Sequence, residues 1–191
     1  YLASLPARAA LEQHDWSEAA YLEIPPAKQS TAAMQPTLRA GLLFTKALGA
    51  AHMKDLAMAK SSMRQLNQVY QEVKRNRDRK GKALVEVQML AAQAWIQQAQ
   101  GHEQAALDLM DKAVLKEQDM LRLHRYAGLP APEQLIPMNE LQGDLLLEQG
   151  QLALAQKAYS NSLDQARNRF NSLYGVAYTA ESLGDMAMAE D

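Results

Sequence analysis

The chain of 191 residues has no cysteine, which excludes disulfides, thiolate metal sites and cysteine nucleophiles together. Aromatic residues are scarce, at 6%, and aromatic side chains are among those that favour strands. No apolar run approaches the roughly 18 residues that a bilayer-crossing helix needs, so no membrane span is expected. The formal charge is only −2, too weak a field to argue for nucleic acid or an anionic membrane surface. Chemistry-bearing loops are missing as well. There is no Gly-x-x-x-x-Gly-Lys-Ser/Thr loop, Gly-x-Gly-x-x-Gly turn, Gly-x-Ser-x-Gly elbow or Ser-x-x-Lys pair. Nucleotide binding and serine acylation lose their usual carriers, and neither a cofactor nor a catalytic group is expected.

What is present is a helix-forming composition. Apolar residues make up 48% and charged residues 22%, and Ala, Leu, Gln, Glu and Lys abound, which predicts an all-α fold. Small residues recur at a fixed interval near the end of the chain: Gly143, Gly150 and Ala155 are followed 34 positions later by Ala177, Gly184 and Ala189. That interval is the signature of a helix–turn–helix repeat. Gly150 and Gly184 read as helix stops in the left-handed region. Gln151 opens a helix with Leu154, Ala155, Ala158, Tyr159 and Leu163 along one face, and Asp185 caps a last one.

The order Gly143, Gly150, Ala155, Tyr159 resembles the tetratricopeptide repeat, with two departures: Asn139 replaces the usual early aromatic residue, and no proline closes the repeat near Arg167. The resemblance implies a right-handed α-solenoid of helical hairpins. The run from Asn168 to Gly175 looks like the start of the last repeat in uncharacterised bacterial proteins of this type, and the resemblance implies no known activity.

Taken in order, residues 1–24 read as a degenerate helical pair, with helices over 2–14 and 16–22 and Asp15 as the cap between them. Pro25-Pro26 breaks the helix, and 24–36 reads as a linker. Residues 37–80 form a repeat, with helices over 37–53 and 56–79 and Ala47, Ala59 and Met63 at its small, small and large positions. Gly81 reads as a bend. Residues 82–123 form another repeat, in which Ala94, Gly101 and Ala106 keep the spacing of seven and then five seen at Gly143, Gly150 and Ala155. Gly101 to Gly150 is 49 positions, an excess of 15 that falls on a proline-rich insertion over 124–137. Residues 138–168 are the best-formed repeat and 169–191 a truncated one, all within a single domain. The start at Tyr1 and the stop inside a helix suggest a segment of a longer protein.

Candidate sites are few. His102-Glu103 opens like a helical zinc motif, but Ala106 stands where the second histidine belongs, so no metal site is expected. His14, His52 and His102 lie at predicted helix ends, where imidazoles cap carbonyls or face water. His124, beside Arg122, Arg125 and Tyr126, marks the entrance to the insertion. The carboxylate pairs Glu140/Asp144 and Glu181/Asp185 have the i,i+4 spacing of ordinary surface charges. The basic run Lys74, Arg75, Arg77, Arg79, Lys80 and Lys82 lacks the interleaved aromatics of a nucleic-acid groove and reads as a solvated helix end.

First helices of stacked repeats line a concave face. By the resemblance, that face would carry Phe44, Leu48 and His52, then Gln88, Trp95 and Gln98, then Glu140, Asp144 and Glu148, and finally Asn171, Tyr174 and Tyr178. Aromatics among amides and carboxylates suit a polypeptide. Family members that grip a C-terminal carboxylate place Lys, Asn and Arg in the groove, whereas Glu140 and Asp144 stand there in this chain. A basic or neutral protein or peptide segment is therefore the expected partner of a non-catalytic scaffold. The alternative is a ligand-sensing module with a small-molecule or metal contact near His124 and the insertion.

Overall fold

The connections between helices repeat one small device. In the computed structural model, which describes residues 4–24, 35–128 and 134–184, six connections place a residue of positive φ directly before the next helix's N-cap, Asn168 before Arg169 among them, and the other five share one further hydrogen bond. Those five pairs are His14 and Asp15, Lys54 and Asp55, Arg77 and Asp78, Gly101 and His102, and Gly150 and Gln151. In each, the N-cap amide donates to a carbonyl five residues back, as from Asp55 to Ala50 at 2.8 Å and from Gln151 to Leu146 at 2.9 Å. This is the Schellman arrangement, which satisfies carbonyls that a helix end leaves without partners. In the first three turns the aspartate also accepts the amide of the third helical residue, at 2.8 Å from Glu18, 2.9 Å from Met58 and 2.9 Å from Gly81.

These turns separate α1 (Leu5–Glu12), α2 (Trp16–Tyr21), α3 (Pro36–His52), α4 (Leu56–Arg75), α5 (Arg79–Ala99), α6 (Glu103–Tyr126), α7 (Met138–Glu148), α8 (Leu152–Gln165) and α9 (Phe170–Leu183). Among the described residues there is no strand, and the chain is all-helical. Each helix packs chiefly on its sequence neighbour, and α3 also packs on α5 and α7 on α9.

The chain divides into two compact units at Leu135 and Ile136, where a single domain was expected. In the first unit α3 is central, touching α1, α2, α4 and α5. Ala40 to Thr45 and Ala47 to Ala51 are all buried, which leaves α3 no solvent face along most of its length. Glycine is needed where α2 crosses it. A Cβ at Gly49 would lie 2.4 Å from the Ala20 amide nitrogen and 2.6 Å from the Trp16 carbonyl oxygen. The outer helix α4 buries a single stripe, Ala59, Ser62, Leu66, Val69 and Val73. The second unit is a three-helix array of α7, α8 and α9, with α7 and α9 each packed on α8.

Three boundaries differ from expectation. Asp78 caps a helix that begins at Arg79, so α4 ends at Arg75 and Gly81 lies inside α5 instead of marking a bend. The helix expected to end at Leu123 continues to Tyr126. Pro36 stands at the start of α3, where its fixed φ suits a first helical turn. The Pro25-Pro26 break, most of the 24–36 linker, residues 129–133 of the insertion and the helix expected from Asp185 lie outside the described residues.

Candidate functional site

Helix α9 presents two unlike faces. Its inner face carries Ser172, Gly175, Thr179 and Ala180, all buried and small enough for close approach to α8. Its outer face carries Phe170, Tyr174 and Tyr178, one helical turn apart and 75%, 61% and 43% exposed. Their rings stack in a ladder. Phe170 and Tyr174 have centroids 6.4 Å apart with planes at 19°, and Tyr174 and Tyr178 have centroids 6.0 Å apart with planes at 21°. Leu173 on the same helix is also half exposed.

Behind this ladder lies the polar core that sets the position of α9. Tyr159 of α8 is wedged between two glycines: a Cβ at Gly143 would meet its ring at 2.5 Å and one at Gly175 at 2.6 Å. The ring thus fills the space of two absent side chains, one on each neighbouring helix. Its hydroxyl donates to Asp144 Oδ1 at 2.8 Å. One turn earlier, fully buried Glu140 accepts two bonds from Arg169, from Nε at 2.8 Å and from Nη2 at 2.7 Å. Ser172 also donates to Glu140 and lies 2.9 Å from Ser162. A bidentate guanidinium is the partner a buried carboxylate requires, because removing one member would strand a charge away from water. Arg169 is also the N-cap residue of α9, so this pair ties the helix that bears the ladder to α7.

The second carboxylate on α7 is shifted in its titration. Burial pushes the Asp144 carboxyl up to about 7, Glu140 and Glu148 add repulsion in the same direction, and the Tyr159 hydroxyl and Arg169 oppose it. Burial also raises the Tyr159 phenol, and the neighbouring Asp144 reinforces that shift.

The residues expected on a concave face are scattered in their surroundings. Phe44, Leu48, Gln88, Trp95 and Glu140 are buried, with Trp95 only 1% exposed, so they serve packing and offer no surface to a partner. The cause is that α3 and α5 are covered by helices on several sides. His52, Gln98, Asp144 and Asn171 are half-buried, while Glu148, Tyr174 and Tyr178 are exposed. His52 belongs to a stack of four rings. It lies 3.7 Å from Trp16 with planes at 4° and 4.0 Å from Trp95 at 36°, and His14 lies 5.1 Å beyond Trp16.

Three groups were not anticipated as a set. Phe170 extends the ladder by one turn, and its spacing of four from Tyr174 was the available signal. The Arg169–Glu140 pair and the Tyr159–Asp144 bond join positions 29 and 15 residues apart, which no helical period links.

His124 is buried, and its Nδ1 lies 2.8 Å from the Met120 carbonyl one turn earlier in α6, a helix-internal role. His102 is the N-cap of α6, with its Nδ1 2.8 Å from Gln97 Oε1. At the basic run, Asp78 caps α5, and Lys82 lies 3.6 Å from Glu86, which also pairs with Lys116 at 2.7 Å. Among the described residues no three His, Asp or Glu side chains gather as a metal site would require, and no helix is long and apolar enough to cross a membrane. No family model, curated protein or solved structure matches the chain.

Proposed function

We propose that this chain is a non-catalytic helical-repeat scaffold, a right-handed solenoid of tetratricopeptide-like hairpins, that binds a protein or peptide through the aromatic face of α9. The observation that carries this reading is the exposed ladder of Phe170, Tyr174 and Tyr178. Contiguous exposed apolar surface bordered by polar groups marks interaction sites, and Tyr supplies large contact area at small entropic cost. The solenoid reading draws support from neighbour-on-neighbour packing, with α3 on α5 and α7 on α9, as first helices of successive repeats would lie. Of the positions first considered for the groove, Asn171, Tyr174 and Tyr178 remain as the surface, joined by Phe170.

Selection of a random displayed-peptide library on the wild type and on Tyr174→Ser/Tyr178→Ser tests this reading. Both positions are exposed, so circular dichroism of the double variant should be unchanged. Peptides enriched on the wild type should be lost on the variant. Equal enrichment on both proteins would refute the assignment of the α9 face.

A further inference from the structure

Two residues near the end of the proline-rich insertion are held as a bound peptide is held. Gln134 and Leu135 lie outside any helix, yet Leu135 is buried. Two helices of the first unit read Gln134, one through its side chain and one through its backbone. The side-chain amide donates to Glu117 Oε1 of α6 at 2.8 Å, and the carbonyl accepts from Arg8 Nη2 of α1 at 3.0 Å. Glu117 is fully buried, so each donor brought to its carboxylate replaces one that water cannot supply.

Leu135 enters where α3 lacks a side chain. A Cβ at Gly41 would lie 3.1 Å from Leu135 Cδ1, so the glycine leaves the space that the leucine takes. Gln88 of α5 reaches the same spot, with its Nε2 3.9 Å from that Cβ position. Gln88 is buried, and among the described residues no hydrogen-bond partner reaches its Oε1. The pair Gln134-Leu135 thus serves Glu117 and leaves an acceptor unmet at the floor of the same cleft. A similar segment that brought one more N–H to Gln88 would be held more tightly than the chain's own.

We propose that the cleft between α1, α3, α5 and α6 is a recognition site for an extended polypeptide segment carrying a Gln-Leu pair, filled in this structure by Gln134-Leu135 and open to a partner's pair in exchange. It lies in the first unit and does not depend on the α9 face. Glutamine sets the register, because its carboxamide supplies the donor that Glu117 accepts, whereas a glutamate there would oppose carboxylate to carboxylate. Leucine fills the gap over Gly41. Tethering gives the chain's own pair an effective concentration on the order of millimolar, so it acts as a resident competitor that a partner must displace.

Fluorescence anisotropy of a labelled Ala-Pro-Glu-Gln-Leu-Ile peptide, the chain's own residues 131–136, tests the proposal on the full chain. Gln134→Ala/Leu135→Ala, which vacates the cleft, should bind the peptide roughly tenfold or more tightly than the wild type does. Exchanging the peptide's glutamine for glutamate, or its leucine for alanine, should each weaken that binding by roughly tenfold or more. Equal binding to both proteins, or indifference to either peptide change, would overturn the proposal.

Leu135→Cys gives a second reading that leaves the Gln134 contacts in place, and its thiol is unique because the sequence has no cysteine. Saturating peptide should hold the segment out of the cleft and speed thiol labelling severalfold, while the alanine-substituted peptide should not. A labelling rate that the peptide leaves unchanged would overturn the proposal as well. Tyr174→Ser/Tyr178→Ser should alter neither reading, which separates failure at this cleft from failure at the ladder. Peptide binding lost on that variant would assign the peptide to α9 and overturn the cleft.

Discussion

Asp144→Asn should make the second unit more stable at alkaline pH while leaving it nearly unchanged in acid. The folded unit holds the Asp144 proton up to about pH 7, against an ordinary value of 3.8. The folded state therefore binds this proton more tightly than the unfolded chain does. Its contribution is complete below about pH 4, is lost as pH rises toward 7, and is absent above. A difference of about three units corresponds to about 4 kcal/mol across that window. Asparagine mimics the protonated form and can still accept from the Tyr159 hydroxyl, so it removes the slope without removing the bond.

The assay must report on α7 to α9 alone. Both tryptophans, Trp16 and Trp95, lie in the first unit, so indole fluorescence does not follow the second. Hydrogen exchange of the α8 amides, corrected for the intrinsic rate at each pH, does follow it. Subtracting the variant from the wild type cancels every carboxylate the two share, because distant sites add. Stability curves that run parallel from pH 4 to 8, or an Asn variant that is less stable at pH 8, would refute the account of Asp144.

Two further substitutions probe packing. Gly49→Ala should destabilise the first unit by about 3 kcal/mol or more, because the new methyl meets the α2 backbone, which cannot rotate away as a side chain can; thermal unfolding followed by tryptophan fluorescence reads this directly. Asn139→Leu should stabilise the second unit by about 1–3 kcal/mol, since Asn139 is buried and, among the described residues, no hydrogen-bond partner reaches either of its amide atoms; slower exchange of the α7 amides is the expected outcome.

Several of these features could be read in the sequence, for reasons that differ from residue to residue. Gly101, Gly150 and Gly184 all adopt positive φ, and glycine announces that conformation because it has no Cβ to oppose it. His14, Lys54 and Arg77 adopt the same conformation without any such mark. At the first of those turns the readable residue was the aspartate that follows, since Asp15 could be anticipated as a cap. The ladder's Tyr174 and Tyr178 could be placed on a helix face by their spacing alone. Phe44, Gln88, Trp95 and Glu140 have equally good spacing but lie in the core. Periodicity locates a stripe and cannot say which neighbour covers it. Glu140 and Asp144 have the spacing of surface charges, and only the tertiary arrival of Arg169 and Tyr159 makes their burial tolerable.

The turn used at five connections also governs the order of events during folding. Each Schellman bond spans five residues, so a chain reversal can form before any distant segment has been found. The helices it joins then meet as sequence neighbours, and the closure entropy that slows topologies with remote pairings is small. Within each unit, hairpins can form separately and dock in series, with no single nucleus required. A chain of this design is expected to fold fast and to lose structure first at an outermost hairpin, before the interior helices that carry most of the core.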